Sequence, residues 1–151
     1  MIQLPPYLQD IWINFQHVAI AYLLTVCIGW ESERETHTAG VRTFPIVGMS
    51  SCAYLLLLGT HADSAAQSRL LQGLITGIGF IGGGAILKEG PTVHGTATAA
   101  SVWNAGIIGA AIAMDHYGIA VTLALLNLFT LRGLLPLKRW LDRKTISGSG
   151  G

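Results

Sequence analysis

Three carboxylates lie within five residues at the end of the first apolar segment of the chain. They are Glu31, Glu33 and Glu35, and two arginines, Arg34 and Arg42, stand close to them. If a helix continues through this segment, Glu31 and Glu35 share one face, a turn apart. Such oxygens could bind a hard cation, and Mg²⁺ would keep several of its waters there. The alternative is a network of salt bridges that anchors the end of the helix.

The glycine-rich segment 73–84 includes a formal match to the dinucleotide-binding fingerprint, at Gly77, Gly79 and Gly82. That motif requires a preceding strand and an acidic residue about 20 positions later. The chain has Ala, Ser and Val at 100–102 instead, so we reject nucleotide binding.

Helix packing explains the same glycines better. Gly73 and Gly77 form one pair of small residues four apart, and Gly79 and Gly83 form a second. Such pairs let helix backbones approach closely inside a membrane. The alternative is a break in the helix at 82–84 that coordinates an ion.

A polar stripe at helical spacing opens the fourth apolar segment. Thr98, Ser101 and Asn104 would face the other helices and form hydrogen bonds between them. Asn104 is the deepest of the three and is a candidate functional residue. Asp63 and Arg69 are further polar candidates, and we expect them to pair in a loop.

No arrangement of nucleophile, base and orienting group can be assembled from these residues. The histidines are scattered among helix ends and loops, which argues against a metal site: His17, His37, His61, His94 and His116. We expect no enzyme and no resident cofactor, with Mg²⁺ as the one candidate ligand. The net charge of +1 provides no field for nucleic acid.

The composition is that of a membrane protein. Apolar residues make up 51% of the chain and charged residues only 11%, against about 25% charged residues in soluble domains. Five apolar segments approach the length of about 20 residues that crosses a bilayer. They cover residues 11–30, 44–60, 70–87, 98–114 and 119–137. The sequence predicts an all-α bundle of about five transmembrane helices over residues 1–140, with a short flexible tail at 141–151.

The lysines and arginines predict the orientation. With five spans, all nine except Arg69 would lie on one side of the membrane. The positive-inside rule assigns that side to the cytoplasm. We therefore expect the N-terminus outside and the C-terminus in the cytoplasm.

Four motifs resemble the MgtC/SapB family of bacterial inner-membrane proteins. They lie in the order typical of that family and span about residues 20–130. The matching segments are 29–33 (Gly-Trp-Glu-Ser-Glu), 39–43 (Ala-Gly-Val-Arg-Thr), the glycine-rich 76–87, and 95–103, which contains Thr98-Ala99-Ala100-Ser101.

The resemblance implies a hydrophobic domain of several helices and a role in adaptation to low magnesium. It favours regulation of another membrane complex, with the F-type ATP synthase among the candidates, over magnesium transport. The charged motif residues of the family would correspond to Glu31, Glu33, Arg42, Asp63 and Arg69.

The chain departs from the family pattern in three respects. The acidic residue that precedes the third helix in the family lies close to an arginine, whereas Asp63 is further from Arg69. Ser32 stands between the motif glutamates where many members carry arginine, and Arg34 follows two places later. Many members have a soluble C-terminal domain, whereas this chain ends soon after its fifth apolar segment. Functions that reside in that domain are therefore not transferred.

Three classes of function follow. The first is a regulatory membrane protein that binds another membrane protein or further copies of itself. The second is an oligomeric transporter of magnesium or another small cation. The third is an enzyme acting on lipid, for which the sequence contains no supporting motif.

Overall fold

The computed structural model describes residues 5–36, 39–58 and 63–148, with the backbone alone for residues 6, 35, 36 and 135–148. The prediction of five helices is confirmed. In chain order the elements are helix α1 (Pro6–Thr36), α2 (Thr43–Leu56), α3 (Ser64–Gly84), strands β1 (Leu87–Glu89) and β2 (Thr92–His94), then helices α4 (Thr96–Ala113) and α5 (Tyr117–Gly148).

Helix α4 is the centre of the bundle and contacts each of the other four helices. Its sequence is apolar or small on every side, which is typical of a buried helix. Val102, Ile108 and Ile112 are completely buried, together with Phe44 of α2 and Ile28 of α1. A core of this kind positions the polar ends of the helices described below.

Consecutive helices run in opposite directions. Ser32 of α1 lies near Thr98, at the start of α4, whereas His17 lies near Asp115, just beyond the end of α4. Ser101 of α4 contacts Asn127 of α5. The end of α1 from residue 31, residues 39–43, the β-hairpin and the start of α4 therefore share one end of the bundle, which we call the motif end.

Among the described residues, three helices are long and apolar enough to cross a membrane, judged by length and composition: the segments Tyr7–Arg34, Thr96–Ala113 and Tyr117–Leu134. Helix α2 is apolar but has 14 residues, about 21 Å of helix against a hydrocarbon core of about 30 Å. Helix α3 is longer but does not meet the same criterion. That α2 and α3 also cross the membrane stays a prediction.

The glycine-rich third segment ends earlier than predicted. Helix α3 stops at Gly84, and Leu87 begins the hairpin, in which Leu87 pairs with His94. Gly90 occupies the turn with a φ of +61°, a conformation that favours glycine. Residues 82–84 form the last turn of α3, so the helix ends there without resuming, and the alternative of ion coordination at these glycines stays a prediction.

Helix α5 continues to Gly148, past the boundary at 140 from which a flexible tail was expected. Leucine, lysine and arginine fill much of residues 134–144, and these residues have high helix propensity. Residues 141–148 are therefore helical, and residues 149–151 of the predicted tail lie outside the described part of the chain.

Candidate functional site

Three of the four motifs meet through Ser32 at the motif end. Ser32 is 1% exposed, and its hydroxyl donates a hydrogen bond of 3.1 Å to the carbonyl of Ala39. The same oxygen lies 3.4 Å from the hydroxyl of the buried Thr98. The residue that departs from the family pattern thus links α1, the α1–α2 connection and α4.

Glu33 fixes the segment between α1 and α2. Its Oε2 accepts a hydrogen bond of 2.7 Å from the backbone N–H of Val41. One turn earlier, a Cβ on Gly29 would lie 2.8 Å from the carbonyl oxygen of Gly40, so only glycine fits there. The first two motifs therefore form one packed corner.

The third and fourth motifs are joined in a similar way. Gly95 has a φ of +82°, and a Cβ there would collide with the carbonyl oxygen of Ala85. A Cβ on Gly82 of α3 would lie 3.1 Å from the carbonyl oxygen of Ala99. The motifs that carry the family resemblance thus converge on one structural unit at the motif end.

Glu31 is half-buried and forms no ion pair with the side chains that the structure describes. It lines a cavity of about 360 Å³ together with Trp30 and Arg132. No group of three His, Cys, Asp or Glu residues suited to a metal ion occurs in the described part of the chain. The side chain of Glu35, the other predicted ligand, lies outside that part.

The remaining charged candidates lie at both ends of the bundle. Arg42 is exposed at the start of α2, at the motif end, and its side chain forms no cap. Asp63 lies at the opposite end, where its carboxylate caps α3 by accepting from the N–H of Ala66 at 2.5 Å. The predicted pair of Asp63 with Arg69 does not form, since the one ion pair among described residues is elsewhere. The helix cap uses the carboxylate instead.

The predicted polar stripe on α4 is present. Thr98 and Ser101 are buried and Asn104 is half-buried. Ser101 donates a hydrogen bond of 2.9 Å to Oδ1 of Asn127, and Nδ2 of Asn104 lies 3.4 Å from the carbonyl oxygen of Leu123. These contacts join α4 to α5, and their neighbourhood includes a groove of about 370 Å³.

Sequence reasoning missed Asn127. Its Nδ2 is buried without a hydrogen-bond partner among the described residues. The sequence does contain a signal for it. A polar side chain inside an apolar segment is costly to expose to lipid, so it is expected to face the interior of the protein.

Four glycines of α3 do not make the predicted contacts with another helix in the described part of the chain. A Cβ at Gly73, Gly77, Gly79 or Gly83 would meet no atom within 4 Å. The nearby Phe80 is 86% exposed. In the part of the chain that the structure describes, these glycines pack against no other helix, so their role in helix packing stays a prediction for contacts with another molecule.

A polar cluster that the sequence did not reveal lies at the opposite end of the bundle. His17 is 8% exposed. Its Nε2 lies 3.0 Å from Oδ1 of Asp115 and 3.1 Å from the hydroxyl of Tyr117, and that hydroxyl lies 3.1 Å from the same carboxylate oxygen. Nδ1 of His17 donates to the carbonyl of Ile13 at 2.8 Å. No sequence pattern signals a contact between residues 98 positions apart.

This His17–Asp115–Tyr117 cluster borders a cavity of about 810 Å³. The polar residues that line the cavity are Asp10, Asn14, His17, Gln67 and Asp115. Hydrogen bonds from His17 and Tyr117 hold the pKa of the Asp115 carboxyl below its usual value. The cluster therefore maintains an ionised carboxylate against the buried imidazole.

The fold and the two polar ends define a helical membrane protein. The chain belongs to the MgtC family, whose family model matches residues 18–140. The expected family membership is thereby confirmed. No solved structure matches the chain.

Three relatives illustrate the similarity. Protein SrpB of Synechococcus elongatus is 31% identical over an alignment of 150 positions, and this alignment covers 88% of this chain and 82% of that protein. Protein MgtC of Brucella abortus is 31% identical over 66% of this chain and 43% of its own length. The putative magnesium transporter YhiD of Escherichia coli is 30% identical over 73% of this chain and 57% of its own length. The matched part thus spans about half of MgtC and YhiD.

Proposed function

We propose that this protein is a regulator that acts by binding another membrane protein through α3. The observation that supports this proposal is the two open faces of α3, one formed by the glycines at positions 73 and 77 and the other, about 120° around the helix, by those at positions 79 and 83; we call these four residues the open glycines of α3. A glycine inside a helix costs about 1 kcal/mol relative to alanine. Four glycines without a packing partner among the described residues are therefore explained by a contact with another molecule.

The chemistry of this surface fits a transmembrane helix. Inside a bilayer, small residues allow two backbones to approach closely, and van der Waals packing supplies the association energy. Phe80 and Ile75 are exposed on the same helix and offer apolar contacts beside the glycines. The F-type ATP synthase is a candidate partner, through the resemblance of the motifs described above.

Co-purification in mild detergent tests the proposal. The wild type would recover a specific membrane protein, and Gly77→Leu would abolish the recovery because its side chain fills the open surface. Gly118→Leu is the matched control, since a Cβ at Gly118 also meets no atom within 4 Å but lies on α5. Equal recovery by wild type and Gly77→Leu would refute the use of α3. Recovery of further copies of the chain alone would make the protein a homo-oligomer.

Transport of magnesium or another small cation by an oligomer is the second candidate. It is supported by the half-buried Glu31, which has no ion pair among the described side chains, and by the name of the relative YhiD. Proteoliposomes with purified protein test it. Flux above that of empty liposomes, lost in Glu31→Gln or Asn104→Ala, would establish transport, and flux unchanged by both substitutions would exclude this pathway.

We further propose the bacterial inner membrane as the location, with the motif end in the cytoplasm. The positive-inside rule supports this orientation, because Arg34, Arg42 and Lys88 all belong to segments at the motif end. Reporter fusions after residue 36 and residue 95 would both be active in the cytoplasm. Periplasmic activity at either site would reverse the proposed orientation.

A further inference from the structure

The turn between α4 and α5 places an aspartate where a glycine is usual. The N–H of His116 donates to the carbonyl of Ala111 at 2.8 Å, and the N–H of Asp115 donates to Ile112 at 3.0 Å. This pair of bonds is the Schellman motif, in which the residue at the position of Asp115 adopts the left-handed conformation and is commonly glycine. Asp115 adopts it with a φ of 59°.

The left-handed conformation costs most residues about 1–2 kcal/mol, and aspartate adopts it when its short side chain forms local hydrogen bonds. That side chain contacts His17 on α1 and Tyr117 on α5. The left-handed turn therefore directs the carboxylate toward two other helices, which glycine could not do.

The number of hydrogens in the cluster depends on the charge of His17. The carbonyl of Ile13 can only accept, so Nδ1 of His17 carries a hydrogen in every state. When the imidazole is neutral, Nε2 has no hydrogen and faces the Asp115 carboxylate at 3.0 Å as one acceptor facing another. The hydroxyl of Tyr117 then carries the one hydrogen available to the three contacts among His17 Nε2, Asp115 Oδ1 and Tyr117.

A proton on Nε2 of His17 removes this contact between two acceptors. Nε2 then donates a charge-assisted hydrogen bond to Asp115, and Tyr117 donates its own hydrogen to the same carboxylate. We propose that His17, Asp115 and Tyr117 form a proton-binding site, which fastens α1 to the α4–α5 turn when His17 is protonated and releases the turn when that proton leaves.

The surroundings are suited to binding a cation such as a proton. Asp10 of α1 lines the same cavity, and His116 in the turn interacts electrostatically with Asp115. Cys52 of α2 is the titratable group that interacts with Tyr117 from that helix. Helix α3 contributes uncharged Gln67 and Leu71 to the cavity, and no lysine or arginine occurs among its described lining residues. The acidic residues that line the cavity beside His17 are therefore Asp10 and Asp115.

Release of the turn would open the cavity at this end of the bundle. The cavity lies between the ends of four helices, and Met114 and Asp115 form part of its wall. A turn no longer tied to α1 is free to move away from this wall. The site thus makes the opening of the cavity depend on pH, independently of any partner bound by α3.

Nuclear magnetic resonance of protein in lipid nanodiscs, labelled with ¹⁵N on histidine, tests the proposal. The spectrum reports the charge of His17 between about pH 5 and about pH 9, the range that includes histidine titration, and His17→Gln identifies its signals. Amide exchange at Asp115 and His116, corrected for the intrinsic effect of pH, reports the turn. We expect exchange to rise about fivefold as His17 loses its proton, the scale of a partly exposed ion pair.

Two variants control the experiment. Asp115→Gly preserves the Schellman turn and removes the carboxylate, so its corrected exchange should no longer depend on the charge of His17. His116→Gln should retain the dependence of the wild type. A His17 that stays neutral down to about pH 5, or turn protection that is equal in both charge states of wild-type His17, would overturn the proposal.

Discussion

The Oγ of Ser32 lies 3.4 Å from the Oγ1 of Thr98, and this contact joins two helices across 66 residues of sequence. Both side chains are buried, and Ser32 also donates to the carbonyl of Ala39. The contact therefore places three motifs of the MgtC family in one unit. Their sequence pattern is explained by the architecture of the motif end before any role in binding is considered.

Loss of the Ser32 hydroxyl is expected to weaken this unit. Ser32→Ala should lower the free energy of unfolding by about 1 kcal/mol, because the half-buried carbonyl of Ala39 loses its hydrogen bond. Thermal or denaturant unfolding in detergent measures the change, with Ser50→Ala, at an exposed position on α2, as the control. Combining Ser32→Ala with Thr98→Ala should give a coupling energy of about 0.6 kcal/mol, and strictly additive effects would contradict the contact.

The Glu33 carboxylate is expected to protect the segment between α1 and α2. Glu33→Ala should speed amide hydrogen exchange at Val41 about fivefold, because the N–H loses its acceptor at 2.7 Å. Glu33→Gln retains a carbonyl oxygen and should give a smaller increase. An exchange rate at Val41 that is the same in the wild type and the alanine variant would show that this hydrogen bond does not form.

Alanine at two different glycines should change stability in opposite directions. Gly29→Ala places a methyl group 2.8 Å from the Gly40 carbonyl oxygen and should destabilise the protein by about 1–3 kcal/mol. Gly77→Ala places the same group in open space and should stabilise it by up to about 1 kcal/mol through helix propensity. Unfolding of both variants under identical conditions tests this difference, and a loss of stability in Gly77→Ala would show that α3 is already packed.

The lowered pKa of Asp115 predicts a loss of stability in acid. A carboxyl whose pKa is lower in the folded than in the unfolded state stabilises the protein above its unfolded pKa. That contribution disappears as the pH falls through the folded pKa. Wild-type protein should therefore lose more stability than Asp115→Asn between about pH 6 and about pH 3. Equal losses of stability in the wild type and in Asp115→Asn over this range would refute the contribution of the Asp115 carboxylate.

The sequence predicts the helices well because hydrophobic runs and glycine positions are local signals. It also predicts the polar stripe of Thr98, Ser101 and Asn104, since helical spacing alone places the three on one face. The hairpin at residues 87–94 carries no such signal, because strands of three residues are too short for a periodic pattern.

The contacts of the two polar ends lay beyond the reach of the sequence. The carboxylates at 31–35 and the arginines beside them predict a cation site or a network of salt bridges, whereas the acceptor role of Glu33 depends on how the following turn folds back. The contact of His17 with Asp115 depends on the packing of the whole bundle, which brings the first helix to the end of the fourth.

The most direct test of the account is photo-crosslinking from α3 in native membranes. A benzophenone amino acid replaces Phe80, the exposed residue next to the open glycines of α3, and adducts are identified by mass spectrometry. The account predicts one specific membrane-protein adduct, which Gly77→Leu reduces at least about tenfold, the effect of about 1.4 kcal/mol of lost binding, and which Gly118→Leu leaves unchanged. Adducts with lipid alone, or a protein adduct of equal yield in Gly77→Leu, would contradict it.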